Sequence, residues 1–219
     1  MVGFIPVNLR EWMIEMDNKL INRFIRDIKS VLTKENLKEK LKLPIYSYIL
    51  SFFIGLLIVA VMGFFKPGTL MEEINPEKFM LNASLTWWFI ITNNIKVLIS
   101  LFISGIVLYI GPILTLGMNA FIHGLLLWVS IQTSGAMGAV KYLILMVPHG
   151  IFEVPALLFG TGAGIGLSRE LRNLIIWRVI NKSKLYEAFI FLFIAFCLIL
   201  IASVVETQVT FRLLSILQS

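Results

Sequence analysis

The sequence has 219 residues, of which 58% are hydrophobic and 15% are charged, and its mean hydropathy is +0.88. A water-soluble domain of this size needs more charge to cover its surface, so the composition excludes that class and predicts an integral membrane bundle. The formal net charge of +6 is concentrated in a few polar segments, which indicates membrane topology and predicts no nucleic-acid partner.

The first 43 residues form a basic segment that precedes every apolar run. Apolar side chains recur at helical spacing from Leu9 to Leu32, and basic residues occupy the other side of the helix. The basic positions are Arg10, Lys19, Arg23, Arg26 and Lys29. This pattern predicts an amphipathic helix that packs beneath the bundle, docks a partner or senses lipids at the membrane surface.

The apolar runs in residues 44–219 predict about five transmembrane helices. Pro44 opens the first run, and Gly111-Pro112 divides a later tract that is too long for a single crossing. The predicted spans are about residues 45–65, 93–110, 113–131, 139–167 and 188–206. The expected fold class is therefore all-α: a polytopic membrane helical bundle with an N-terminal cytoplasmic amphipathic helix.

The charges between the spans predict an orientation. Basic residues are in excess in the N-terminal segment and in residues 168–187, whereas residues 66–86 are slightly acidic. With five spans the two basic segments lie on the same side of the membrane. The positive-inside rule then places the N-terminus in the cytoplasm and the C-terminus outside the cell.

The fourth span contains an ionisable pair, His149 and Glu153. A spacing of four residues places both on one face of a helix, and an ionisable group in hydrocarbon is costly unless it is paired or faces a polar cavity. Pro148 and Pro155 flank the pair; each removes a backbone donor and predicts a helix kink. The pair is a candidate functional site, although it could equally fix the packing between helices.

Other polar residues in the spans complete a predicted intramembrane polar cluster. In the predicted topology Asn94, His149, Glu153 and Glu206 lie at similar depth in the outer half of the membrane, and Asn119 and His123 lie deeper. The predicted cluster therefore consists of His149, Glu153, Glu206, Asn94, Asn119 and His123.

The second half of the fourth span carries glycines at alternate positions. Gly160 and Gly164 form one small-xxx-small pair, and Gly162 and Gly166 form another. This spacing predicts close helix packing, either within the chain or in a homo-oligomer. It does not predict a dinucleotide site, because no strand precedes it.

A metal-dependent site is a weaker interpretation of the same residues. His149, Glu153, Glu206 and His123 offer the nitrogen and oxygen ligands that suit zinc, but the sequence lacks a His-Glu-x-x-His motif. No serine or cysteine nucleophile with an evident base is visible, and the single cysteine, Cys197, excludes an intrachain disulfide. No catalytic residue and no cofactor are therefore assigned.

These residues also resemble those of a known family, the stage II sporulation protein M family of integral membrane proteins. The resemblance is carried by Pro148-His149-Gly150-x-x-Glu153-x-x-Ala156, by Asn94 leading through Gly111 to Asn119, and by Ala202-x-x-x-Glu206. Where the family often has a glycine after the asparagine of the third span, this sequence has Ala120. The resemblance implies a multi-span protein without established enzymatic activity, which in spore formers works as an anchor or scaffold with peptidoglycan-degrading partners.

Three functions follow as hypotheses. The first is a membrane scaffold or accessory protein that recruits protein partners through its basic helix and its spans. The second is a transport component in which His149, Glu153 and Glu206 line a path for protons or a small solute. The third is an intramembrane metal-dependent hydrolase.

Overall fold

The computed structural model describes residues 9–65, 87–107, 109–210 and 212–213, and every regular element in these ranges is helical. The elements are α1 (Leu9–Val31), α2 (Lys34–Phe65), α3 (Trp87–Val107), α4 (Gly111–Trp177), α5 (Lys182–Val205) and a π-helical turn (Glu206–Thr210). The prediction of an all-α fold is confirmed. The predicted acidic loop, residues 66–86, lies outside the described residues.

Helix α4 is a hairpin of two helical segments. Ser134 and Gly135 leave the helical region, and Gly135 has φ +58°, a conformation that glycine adopts without strain. Tyr142 contacts His123, although 19 residues of straight helix would separate them by about 28 Å. The chain therefore reverses between residues 111–133, here called α4a, and residues 136–177, here called α4b.

Four of the described helices are long and apolar enough to cross a membrane. Since α4 contributes two antiparallel segments, each longer than the roughly 20 residues that a crossing needs, they provide five span-length segments. Gly111-Pro112 begins α4a as the sequence predicts, because proline suits the first turn of a helix.

Several segment boundaries differ from their predicted positions. Pro44 lies inside α2, because the preceding residues 34–43 are rich in lysine, glutamate and leucine, which are strong helix formers. The chain divides into two compact units, residues 1–39 and 40–219, and the predicted domain boundary after residue 43 stays a prediction. Helix α3 begins at Trp87 and α4b continues to Trp177, beyond the predicted ends near residues 93 and 167.

The glycines of α4b pack against two helices of the same chain. An added Cβ at Gly160 or Gly164 would meet Leu98 or Leu101 of α3, and one at Gly162 or Gly166 would meet Phe191 or Ala188 of α5. Gly105 of α3 directly faces Gly164, so the two backbones are nearly in contact. These glycines therefore serve packing within the chain, and a homo-oligomer through this helix stays a prediction.

An ion pair links the N-terminal part of α2 to the N-terminal part of α5. Lys40 Nζ lies 2.6 Å from Glu187 Oε2 and 5.2 Å from the centre of the Phe191 ring. Lys40 precedes Pro44 and so lies outside the apolar span. Burial lowers its pKa, and the hydrogen bond and charge of Glu187 oppose that shift. The pair thus fixes one end of the bundle with a partly buried ion pair.

Candidate functional site

The candidate site is built on one stripe of α4b. Tyr142, His149 and Glu153 are spaced by seven and four residues, which places all three on the same helical face. His149 Nε2 lies 3.8 Å from Glu153 Oε2, and the two side chains are only 12% and 16% exposed. This distance is too long for a direct hydrogen bond, and the contact is an ion pair only when the imidazole is protonated.

The end of α5 supplies the second partner of His149. His149 Nδ1 lies 3.2 Å from Thr210 Oγ1, and the Thr210 hydroxyl donates to the carbonyl of Leu145 at 3.4 Å. A threonine hydroxyl has one proton, so Nδ1 must donate to Oγ1 in this arrangement, and Nε2 is the nitrogen that faces Glu153. The π-helical turn ends at Thr210, so this irregular turn carries the hydroxyl that contacts the imidazole.

The prolines that flank the pair lie within continuous helix. Pro148 cannot donate to the carbonyl of Ile144, and Pro155 cannot donate to that of Ile151. Inside α4 only Ser134 and Gly135 depart from helical dihedral angles. The helix therefore continues through both prolines, and the kinks expected there stay a prediction.

The carboxyl group of Glu153 lies within electrostatic range of polar groups from α2, from the end of α5 and from its own helix. Glu206, which ends α5, is close enough for its charge to act on Glu153. The phenol groups of Tyr48 in α2 and of Tyr142 also lie within the electrostatic field of Glu153. Side chains from α2, α4b and the end of α5 therefore converge at one place.

His123 joins this place from α4a. The Tyr142 hydroxyl donates to the backbone carbonyl of His123 at 3.1 Å and lies 3.3 Å from its Nδ1. Because that hydroxyl proton is already used, Nδ1 of His123 must donate to the phenol oxygen. His123 is also within electrostatic range of His149, so the two histidines belong to one polar group.

The two asparagines of the predicted cluster are placed differently. Asn94 is 8% exposed, and its Nδ2 lies 3.5 Å from Ser203 Oγ, one turn before Glu206. Asn119 instead donates to the carbonyl of Thr115 in its own helix at 2.9 Å. His149 and Glu153 are neighbours, His123 and Glu206 lie within electrostatic range of them, Asn94 contacts Ser203, and Asn119 has a local bond. A single shared cluster of all six residues stays a prediction.

Sequence reasoning missed four residues of this site. They are Tyr48, Tyr142, Ser203 and Thr210. The position of Tyr142 seven residues before His149 is a signal that could have identified it, because that spacing keeps one helical face. Tyr48 and Thr210 carry no such signal, since their positions depend on how α2 and the end of α5 meet α4b.

The arrangement suits hydrogen bonding between helices more than covalent chemistry. The bonds of His149, His123 and Asn94 each join two different helical segments. Among the described residues, no group of three or more histidine, cysteine, aspartate and glutamate side chains is arranged to hold a metal ion. The site can share protons and hydrogen bonds among imidazole, carboxyl and hydroxyl groups.

Comparison with known proteins places this fold and site in a family. The sequence profile described as "Stage II sporulation protein M" matches residues 45–211, which include the five span-length segments and the site. The uncharacterized protein MJ0706 of Methanocaldococcus jannaschii is 25% identical, over 84% of this chain and 92% of its own length. MJ0793 of the same organism is also 25% identical, over 78% of this chain and 95% of its own. No solved structure matches. The chain belongs to the stage II sporulation protein M family.

Proposed function

We propose that this protein is a membrane scaffold or accessory protein, without enzymatic activity, that acts through protein partners in the membrane. It lies in the cell membrane with its N-terminus in the cytoplasm and its C-terminus outside, the orientation that the basic segments favour. Its partners include the lipid bilayer and membrane proteins, and a homo-oligomer through the glycine-rich helix stays a prediction.

One observation carries this proposal. The polar residues that first suggested chemistry make hydrogen bonds that tie helical segments together: His149 to Thr210, His123 to Tyr142, and Asn94 to Ser203. In membranes, such bonds contribute roughly 0.6 kcal/mol each to helix association. A reactive site would instead need a nucleophile with its base, or a set of metal ligands with an open position.

Purification from the native membrane tests the scaffold proposal. The tagged full-length chain is extracted separately in mild detergent and in lipid particles, and the mass of each complex is measured. We expect a second polypeptide at constant ratio to the 24.9 kDa chain in both preparations. A chain that is recovered alone at monomer mass in both would contradict the proposal, and an exact multiple of that mass would indicate a homo-oligomer instead.

A transport component is the second candidate, and a specific observation favours it. Glu153 and Glu206 come from different helices and lie close enough for their charges to interact within the bundle. Placing two acidic side chains inside the membrane costs free energy, and the packing of helices does not require such side chains. Chains of glutamate and histidine side chains serve as proton relays in membrane transporters.

Proton flux distinguishes this candidate from the scaffold. Vesicles containing the protein and a trapped pH-sensitive dye are given a pH step, and the rate of internal acidification is measured. The transport hypothesis expects Glu153→Gln to abolish the protein-dependent flux, whereas Glu35→Gln, at an exposed position of α2, leaves it unchanged. Equal rates in protein-containing and empty vesicles would remove proton transport from consideration. The metal-dependent hydrolase receives no support from the described residues.

A further inference from the structure

Helix α1 presents an apolar stripe that is exposed to solvent. Leu20, Ile21 and Ile25 are 59%, 55% and 45% exposed, respectively. Ile21 and Ile25 are one turn apart, and Leu20, about 100° round the helix from Ile21, lies at the edge of the same broad apolar face. A stripe of large aliphatic side chains is unstable in water, so it needs an apolar surface to cover it.

The basic side chains of α1 indicate which kind of surface covers its apolar stripe. From Lys19 to Lys29 the helix carries four basic side chains and a single acidic one, Asp27. Lys19, Arg23, Arg26 and Lys29 are all exposed; the first three lie on the side away from Ile21, and Lys29 flanks the apolar face one turn after Ile25. An amphipathic helix with aliphatic residues on one face and lysine and arginine on the other is typical of segments that lie in the plane of an anionic lipid surface.

The chain connection keeps this helix close to a membrane surface. Helix α1 ends at Val31, and α2 begins at Lys34. Ten residues separate Lys34 from Pro44, where the apolar part of α2 starts, and they rise by about 15 Å. The polar headgroup layer is roughly 5–8 Å thick on each side of a bilayer. The potential of charged lipids extends a further ~8 Å at physiological salt.

We propose that the α1 stripe of Leu20, Ile21 and Ile25 docks onto the membrane leaflet next to it, and that anionic phospholipids in that leaflet hold the basic face of α1. The excess of basic side chains from Lys19 to Lys29 complements an anionic lipid surface, and this charge complementarity favours that occupant. In the predicted orientation the leaflet is the cytoplasmic one, which is the leaflet that carries anionic lipids. This proposal is independent of the scaffold function, since it requires no protein partner.

Two single-thiol variants of the full-length protein test the docking. Cys197→Ser removes the native thiol, and Ile21→Cys or Ser30→Cys introduces one for an environment-sensitive fluorophore. These two positions are nine residues, or about two and a half turns, apart, so they lie on opposite faces of α1. Each labelled protein is placed in nanodiscs of phosphatidylcholine, either alone or with about one-third phosphatidylglycerol, an anionic lipid.

In the anionic nanodiscs we expect the label at Ile21→Cys to shift its emission to the blue and to be quenched by lipid-attached nitroxide, several-fold more strongly than in neutral nanodiscs. The label at Ser30→Cys should stay in water in both. A water-exposed label at Ile21→Cys in anionic nanodiscs would overturn the proposal. A label buried equally in both lipids but unaffected by the nitroxide would also overturn it, by showing that α1 packs against protein.

Charge variants separate electrostatic docking from loss of helix structure. Replacing Arg23, Arg26 and Lys29 by glutamine should lower the docking equilibrium constant by roughly a hundredfold, about fivefold for each side chain. The matched control, Arg23→Lys with Arg26→Lys and Lys29→Arg, keeps every charge and should dock like the parent protein. Equal behaviour of the two variants, whether both dock or both fail, would contradict an electrostatic hold on α1.

Discussion

The two halves of α4b are held in the bundle by different kinds of interaction. Residues 142–153 contain the polar stripe of Tyr142, His149 and Glu153, whose side chains are partly exposed. Residues 156–167 are largely buried, and there the glycines bring the backbone of α4b against α3 and α5. One helix thus combines a segment fixed by a few hydrogen bonds with a segment fixed by close backbone approach.

Because of this difference, the two halves should tolerate different kinds of substitution. Added volume in a closely packed interface typically costs about 1–3 kcal/mol, because neighbouring backbone must move. A lost hydrogen bond between helices in a membrane costs about 0.6 kcal/mol on average, because the unfolded chain in lipid also finds partners. The glycine half should therefore be sensitive to a single methyl group, and the polar half should lose little stability when one partner is removed.

Gly164→Ala should have the largest effect. Its Cβ would overlap the carbonyl oxygen of Leu101 and lie 2.8 Å from Pro112 Cγ, while Gly105 faces it from α3. Because backbone would have to move, we expect a loss of about 3 kcal/mol in the free energy of unfolding. The midpoint of SDS-induced unfolding in mixed micelles, followed by circular dichroism, measures it.

Gly150→Ala is the matched control in the polar half of the same helix. Its Cβ would make an ordinary contact with Met146 Cε at 3.5 Å, so the better helix propensity of alanine should stabilise the protein by up to about 1 kcal/mol. Equal unfolding midpoints for the Gly164→Ala and Gly150→Ala proteins would refute the division of α4b into two kinds of packing.

Gly160→Ala should have an intermediate effect. Its Cβ would lie 2.6 Å from Leu98 Cδ1, which is the far end of a flexible side chain. A strained rotamer costs about 0.5–1.5 kcal/mol, and the gain in helix propensity offsets part of it. In a Leu98→Ala background the same substitution should cost less, because the nearest remaining atom is then Leu101 Cδ1 at 3.3 Å. Additive costs in this double-mutant cycle would show that the strain does not arise from Leu98.

Much of the fold could be predicted from the sequence, because a chain in the bilayer must satisfy its backbone hydrogen bonds and few structures do so. Apolar runs of about 20 residues and the break at Gly111-Pro112 sufficed to predict five spans. Pro44 marks where the first apolar run opens, but it does not mark the start of the helix. The helix formers before it, together with the packing of the bundle, carry α2 through that position.

The site could be predicted only in part, for a related reason. The spacing of His149 and Glu153 fixes a shared face within one helix, so sequence suffices for that pair. The partnership of His149 with Thr210 spans 61 residues and depends on the π-helical turn, which no local pattern announces. For Asn119, sequence cannot distinguish a bond to another helix from the bond to Thr115 in its own turn.

Thr210→Val should have the smallest of these effects, and it tests the polar half directly. The change keeps the shape of the side chain but removes the hydroxyl that contacts His149 and Leu145. We expect a loss of about 0.6 kcal/mol in the free energy of unfolding, measured by the same SDS titration. The cost should disappear in a His149→Leu background if it arises from the bond to the imidazole.

Thr207→Val provides the control for Thr210→Val, because the Thr207 hydroxyl donates to the carbonyls of Ser203 and Val204 within its own helix. Its loss should be independent of His149, since no contact between helices is removed. A coupling to His149 that is equal for both threonines would mean that the end of α5 responds as a unit and that the bond at Thr210 has no separate role. A coupling confined to Thr210 would show that one hydroxyl on the π-helical turn fixes the imidazole, so the polar half depends on a partner that the glycine half does not need.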